Sequence, residues 1–108
     1  MTRSSRGMHP DSSVQQLLDI LARYDDQHPN AKIDAYRQNS ASIRLRIIDP
    51  AFEAHDRVQR EELIWEILGR LLPEEIQSQI TLVLLLTPKE ASFSFANFEF
   101  ENPLPSNL

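Results

Sequence analysis

Residues 42–89 decide the fold of this chain. They begin with Ser-Ile-Arg-Leu-Arg-Ile-Ile-Asp at 42–49, continue with a helical pattern at 57–72, and reach the apolar run Ile-Thr-Leu-Val-Leu-Leu-Leu at 80–86. The first segment alternates as a half-buried strand does, and the last is apolar on both faces, as a strand covered on both sides is. Because about thirty residues separate the two strands, the connection is a crossover, so we expect parallel strands with the helix on one face of the sheet.

The sequence before this unit adds a helix and a strand. Val14, Leu17, Leu18 and Leu21 recur at helical spacing and predict a first helix. Residues 31–38 predict a weaker strand, which a short turn joins to the alternating strand that follows. The two strands are therefore expected to form a hairpin.

Capping residues and proline mark the helix boundaries within the crossover. Asp56 is placed to cap the helix over residues 57–72, with Gln59 three positions later. Pro73 ends that helix and begins a short second one that runs to about residue 79. The predicted fold class is α+β, with the element order αββααβ and a three-stranded mixed sheet covered by helices on one face.

The length of 108 residues predicts one domain. Residues 1–11 are polar without periodicity and are predicted to be a disordered N-terminal arm, residues 12–90 the folded domain, and residues 91–108 a phenylalanine-rich C-terminal tail that is partly disordered. The absence of Cys excludes disulfides and thiolate chemistry. No stretch reads as a signal peptide or a membrane-spanning helix, so a cytoplasmic location and no membrane partner are expected.

Arginines and aromatic residues supply the candidates for a partner surface. Three arginines lie on strands opposite the apolar face. Two more stand at the start of the helix over residues 57–72, which also carries a tryptophan at the edge of its apolar stripe. Four phenylalanines fall within eight residues of the tail. The arginines on the strands equally fit an ordinary solvated sheet face, and the tryptophan fits a core residue. The candidate residues are Arg37, Arg44, Arg46, Arg57, Arg60, Trp65, Phe93, Phe95, Phe98 and Phe100.

The four phenylalanines form two period-2 pairs joined by one extra residue at 96–97. This spacing predicts an extended tail segment able to cover the second face of the last strand. Four exposed aromatic rings would leave a large apolar patch in water, so they are expected to pack on their own domain or on a partner. Self-association of the chain is the competing way to cover the last strand.

The element order and the local sequence together resemble the BolA-like domain, whose topology is that of the type II KH domain. The landmarks are a strand that ends in Asp49, Phe52 in the next loop, Arg-Val-Gln-Arg at 57–60 before a helix, and Thr-Pro-Lys-Glu at 87–90 after the last strand. The resemblance covers roughly residues 14–90. The resemblance implies a small domain. In typical members of the family, this domain shares a [2Fe–2S] cluster with monothiol glutaredoxins.

The chain departs from the BolA-like pattern at the positions that bind the cluster. Gln79 stands where the family has a histidine, and only residues 39–41 form the loop that in the family is longer and often carries His or Cys. A glutamine amide is a poor iron ligand beside imidazole or thiolate, so no cluster, metal or other cofactor is expected. The GXXG loop of KH domains is also missing, because Gly7 and Gly69 are the only glycines.

The leading hypothesis is therefore a small non-enzymatic domain that binds another protein or acts as a regulatory adaptor, with a homodimer as one form of partnership. The alternative is a nucleic-acid-binding module that uses the sheet face with Arg37, Arg44 and Arg46, although a net charge of -5 opposes binding to phosphate backbones. An enzyme that uses His55 is the least supported reading, because the neighbouring Asp56 is explained as a helix cap.

Overall fold

A computed structural model describes residues 2–6 and 11–102 of the chain. The sheet has the strand order β1-β2-β3-β4. The elements are β1 (Thr2–Arg6), α1 (Ser12–Ile20), α2 (Ala22–Gln27), β2 (Lys32–Asn39), β3 (Ser42–Ile48), a 3-10 turn (Pro50–Ala54), α3 (Arg57–Leu71), α4 (Glu74–Gln77), β4 (Ile80–Leu86), α5 (Pro88–Ala91) and α6 (Phe95–Glu101).

The predicted hairpin and the predicted crossover are both present. Strands β2 and β3 pair antiparallel, and β3 pairs parallel with β4. A mixed sheet with helices between its strands confirms the α+β class. The crossover carries α3 and α4, as the helical pattern and Pro73 predicted.

The N-terminal arm contributes a fourth strand. Residues Thr2–Arg6 form β1, which pairs parallel with β2 from Lys32 to Tyr36. The prediction of a disordered arm is therefore wrong for these residues, and the sheet has four strands rather than three. Because main-chain groups make the ladder, a polar sequence without apolar periodicity can still extend the open edge of a sheet. Residues 1 and 7–10 lie outside the described part of the chain.

The main core lies between one face of the sheet and helices α1 and α3. Leu17 of α1, Leu45 and Ile47 of β3, and Ile64 and Leu68 of α3 are all fully buried there. The 3-10 turn adds the buried Phe52 to this core, and Trp65 of α3 packs against the core partly buried. We call this side of the sheet the inner face and the opposite side the outer face.

Side-chain caps fix where the helices begin. Asp56 accepts a hydrogen bond from the Gln59 N–H at 2.9 Å, and the Gln59 side chain in turn accepts from the Asp56 N–H, which confirms the predicted cap. At α1 the cap is Asp11, which accepts from the Val14 N–H at 3.0 Å. Asp49 caps the 3-10 turn in the same way.

The C-terminal segment is helical and not extended. After α5, Ser94 caps α6 by accepting from the Asn97 N–H at 3.0 Å, so Phe95–Glu101 forms two helical turns. This helix lies on the outer face, so helices cover both faces of the sheet and not one as predicted. The expected extended tail is therefore wrong, and residues 103–108 lie outside the described part of the chain. Within the described residues, every helix is too short or too polar to cross a bilayer.

Candidate functional site

Arg46 is buried on the outer face of β3 and holds α6 against the sheet. Its guanidinium forms ion pairs with Asp34, directly opposite on β2, and with Glu101 at the end of α6. It also donates a hydrogen bond of 2.9 Å to the side-chain oxygen of Asn97. The sequence placed Arg46 on the correct face, but the expectation of an exposed binding arginine is wrong because α6 and two carboxylates cover it.

Phe100 is the second anchor of α6. Its ring is fully buried, lies 4.6 Å from the guanidinium carbon of Arg46, and meets the Tyr36 ring edge-on at a centroid distance of 4.9 Å. These contacts combine apolar burial with cation–π attraction. Of the four phenylalanines in the tail, this one belongs to the fold itself.

Arg60 of α3 holds α5, the helix that precedes α6 in the chain. It forms an ion pair with Glu90 through both terminal nitrogens, at 2.6 and 3.2 Å. It also donates to the main-chain oxygens of Phe52, His55 and Leu85 at 3.0 to 3.2 Å, and it lies 5.6 Å from the centre of the Phe52 ring. An arginine at the start of a helix is unfavourable to the helix dipole, and this set of acceptors explains why it is there.

The position of Glu90 lowers the pKa of its carboxyl group. The hydrogen bond from Arg60 is the largest effect and, with the hydrogen bond from the Thr87 N–H, lowers the pKa of Glu90 below its ordinary value, against a smaller effect of burial. The same carboxylate completes a capping box with Thr87 at the start of α5. Glu90 therefore joins the local capping of α5 to the buried arginine of α3.

Three phenylalanines remain exposed on the segment that these two arginines hold. Phe93, Phe95 and Phe98 are 79%, 75% and 63% exposed. Phe95 and Phe98 are three residues apart on α6 and so lie on the same side of that helix, away from Phe100. We call these three residues the C-terminal aromatic surface.

The other candidate residues do not join this surface. Arg37 binds Asp11, with its Nε 2.5 Å from the carboxylate, and Arg44 donates to the Tyr36 hydroxyl at 3.3 Å. Arg57 is exposed and pairs with Glu61 one turn along α3. The structure therefore does not gather the sheet arginines into one open basic face.

A cleft of ≈ 390 Å³ lies between α2 and α3. Two histidines that are distant in the sequence, His28 and His55, both line it. The ring of Tyr24 stacks on that of His28 at a centroid distance of 3.9 Å, and the Tyr24 hydroxyl donates to Asp49 at 2.6 Å. Burial, assisted by this bond to Asp49, raises the pKa of Tyr24 well above its ordinary value, so this hydroxyl stays protonated.

Sequence reasoning missed the partners of both buried arginines. Asp34, Asn97 and Glu101 surround one, and Glu90 binds the other. Asp34 carried a usable signal, since a carboxylate in the hairpin strand faces an arginine in the next strand once the register is known. Glu90 lies 30 residues from Arg60, and no local sequence pattern predicts that pair.

No protein-family model matches the chain. No curated protein matches it either.

Proposed function

We propose that this chain is a small non-enzymatic BolA-like domain that binds another protein, or acts as a regulatory adaptor, through its C-terminal aromatic surface. The observation that carries the proposal is the exposure of Phe95 and Phe98 on α6, and of Phe93 in the turn before it, on a segment that is held in place. Each phenylalanine side chain can bury roughly 150–250 Å², so these three rings leave several hundred Å² of apolar surface in water. Phe95 and Phe98 lie on the same side of α6, and exposed apolar patches on single domains are often functional.

The way the segment is held supports a rigid binding surface. Arg60 fixes α5 through Glu90, and Arg46 fixes α6 through Asn97 and Glu101. Side chains presented by a fixed helix lose less conformational entropy on binding than those on a free tail. This favours a surface selected for recognition over a tail that only shields the sheet.

The BolA-like part of the proposal is supported by the order of elements and by the parallel pairing of β3 with β4. We propose the domain without an iron–sulfur cluster because Gln79 supplies an amide where the family has a histidine. Its Nε2 donates to the Glu75 carbonyl at 3.1 Å, so the amide already has a partner in α4. We rank nucleic-acid binding lower, since Arg46 is buried and Arg37 is paired. A cytoplasmic location is part of the same proposal.

Site-specific photo-cross-linking tests this function. A photoreactive phenylalanine analogue is placed at position 95 or 98, or at the exposed Glu62 on α3 as a control. In cells that naturally express the chain, we expect one discrete protein adduct from positions 95 and 98 and none from position 62. The variant Phe93→Ser/Phe95→Ser/Phe98→Ser should lose that partner in quantitative co-purification while it unfolds at the wild-type urea concentration. Equal adducts from all three positions, or none, would contradict the proposal.

A further inference from the structure

Strand β4 has the sequence of a central strand but lies at an edge. In the part of the chain that the structure describes, it pairs with β3 alone. Its seven residues, Ile80–Leu86, contain no charged residue, proline or glycine. Edge strands normally carry such residues to prevent association, and the sequence Thr-Arg-Ser-Ser-Arg of β1 at the opposite edge has two of them.

The backbone of β4 presents free hydrogen-bonding groups along the edge that faces away from β3. The Leu86 carbonyl accepts from the Asp49 N–H at 2.9 Å, so Leu86 and, two residues earlier, Leu84 direct their main-chain groups toward β3. Main-chain groups alternate in direction along a strand, so those of Val83 and Leu85 point outward. Arg60 donates to the Leu85 carbonyl at 3.2 Å along this free edge, which agrees with the outward direction of the main-chain groups of Leu85.

The edge of β4 that faces away from β3 opens into a groove of ≈ 610 Å³. Its walls come from the start of α3 on one side and from the segment between α5 and α6 on the other. An extended chain is the shape that such a groove beside a strand accepts. Among the residues that line it are Val83, Leu84, Arg57, Glu61, Ser94 and Ala96.

The charges around the groove favour an uncharged strand. Arg57 pairs with Glu61, and Arg60 pairs with Glu90, so each arginine already has its carboxylate. The remaining acid, Asp56, is the cap of α3. Among the described residues that line the groove, each arginine is therefore already paired, and the uncharged β4 of a second copy fits it without like charges facing each other.

We propose that two copies of this chain associate edge to edge through β4, antiparallel and about a twofold axis, so that the two sheets become one. A twofold interface brings the same surface of both subunits together. The Leu85 carbonyl is occupied by Arg60, whereas both main-chain groups of Val83 are free to exchange hydrogen bonds with the Val83 of the second copy. This register places Leu82 opposite Leu84 of the other subunit. The proposal does not depend on the aromatic surface.

Sedimentation equilibrium of the full chain tests the association. The wild type is expected to show a dimer, and Leu82→Glu is expected to raise the dimer dissociation constant at least about tenfold, because it sets charges opposite an apolar strand. Leu71→Glu, a matched change at an exposed position of α3, should leave that constant unchanged. A wild type that stays monomeric at all concentrations, or equal effects of the two variants, would overturn the proposal; a strand of another protein would then be the occupant of the edge.

A cross-link tests the register without destabilising the dimer. The chain has no Cys, so Leu82→Cys/Leu84→Cys introduces the only thiols. In the proposed register these positions form non-hydrogen-bonded antiparallel pairs with Cα atoms about 4.5 Å apart, within disulfide range. Mild oxidation should give a covalent dimer with two linkages. A dimer that forms no such linkage would refute β4 pairing in this register.

Discussion

Arg46 and Arg60 are two buried arginines that do the same task with different partners. Both hold a C-terminal helix against the domain, and both lie over a phenylalanine ring. The side chain of Arg46 is 1% exposed, and its nearest partner, Asp34, is a carboxylate that is 5% exposed. The partners of Arg60 are main-chain carbonyls and Glu90, whose side chain is 45% exposed.

This difference teaches that the cost of losing a buried arginine depends on what it leaves behind. Without Arg46, the buried carboxylate of Asp34 would lose the cation directly opposite it on β3, which destabilises the fold. Without Arg60, the carbonyls lose a donor but carry no net charge, and Glu90 can be hydrated. We therefore expect Arg46 to matter more for stability, although it is Arg60 that binds its carboxylate in the C-terminal segment through both terminal nitrogens.

Arg46→Met is expected to have the largest effect. Breaking a buried ion pair by removing one partner typically costs about 3–5 kcal/mol. We expect the free energy of unfolding, measured by urea denaturation, to fall by about this amount. Adding Asp34→Asn to Arg46→Met should recover part of the loss, because the buried carboxylate with which Arg46 pairs is then uncharged. If the single and double variants unfold at the same urea concentration, the charge of Asp34 is not the source of the cost.

Arg60→Met should cost less, about 2 kcal/mol. The estimate reflects the loss of charge-assisted hydrogen bonds to carbonyls and to a half-exposed carboxylate. Arg57→Met is the matched control, because Arg57 lies on the same helix with its side chain 91% exposed and should change the free energy of unfolding by less than about 0.5 kcal/mol. Urea denaturation of both variants compares them. An equal loss in the two variants would mean that burial of the guanidinium contributes little.

The bond between Arg60 and Glu90 should also make stability depend on pH in the acid range. The folded pKa of Glu90 lies below its ordinary value of 4.5, so its contribution is fully present above that pH and is lost as the pH falls through the folded pKa. Glu90→Gln keeps the capping box but removes the charge. The difference in urea midpoint between wild type and Glu90→Gln should therefore be constant from pH 7 to about 5 and shrink below it. A difference that does not change with pH would show that the charge of Glu90 adds nothing.

The sequence predicts the inner half of this molecule better than its outer half. Alternation along β3, the cap at Asp56 and the break at Pro73 are local signals, and each was confirmed. The outer layer depends on contacts between distant residues. The pair of Arg46 with Glu101 spans 55 residues, and no pattern along the chain specifies it.

The phenylalanine spacing was misleading because two periods compete within a short segment. Phe93 and Phe95 alternate as in a strand, but Phe95 and Phe98 are three apart as in a helix, and Ser94 provides a cap three residues before Asn97. Giving the serine cap more weight would have predicted α6. The exposure of three rings could not be predicted in either case, since it depends on which side of the helix Arg46 and Tyr36 bind.

The pair of Arg37 with Asp11 is a partly exposed reference for the two buried arginines, and loss of this ion pair should have the smallest effect. Both side chains are about a quarter exposed, and the hydrogen bond from Arg37 is the main cause of the lowered pKa of Asp11. Asp11→Asn removes the charge but keeps a good helix cap, so we expect a loss below about 0.5 kcal/mol, which high salt should abolish by screening. Asp11→Ala also removes the cap of α1 and should cost about 1 kcal/mol more in the same urea assay. If the two variants were equally destabilised, the ion pair and not the cap would account for the role of Asp11, and exposure would not separate this pair from the buried ones.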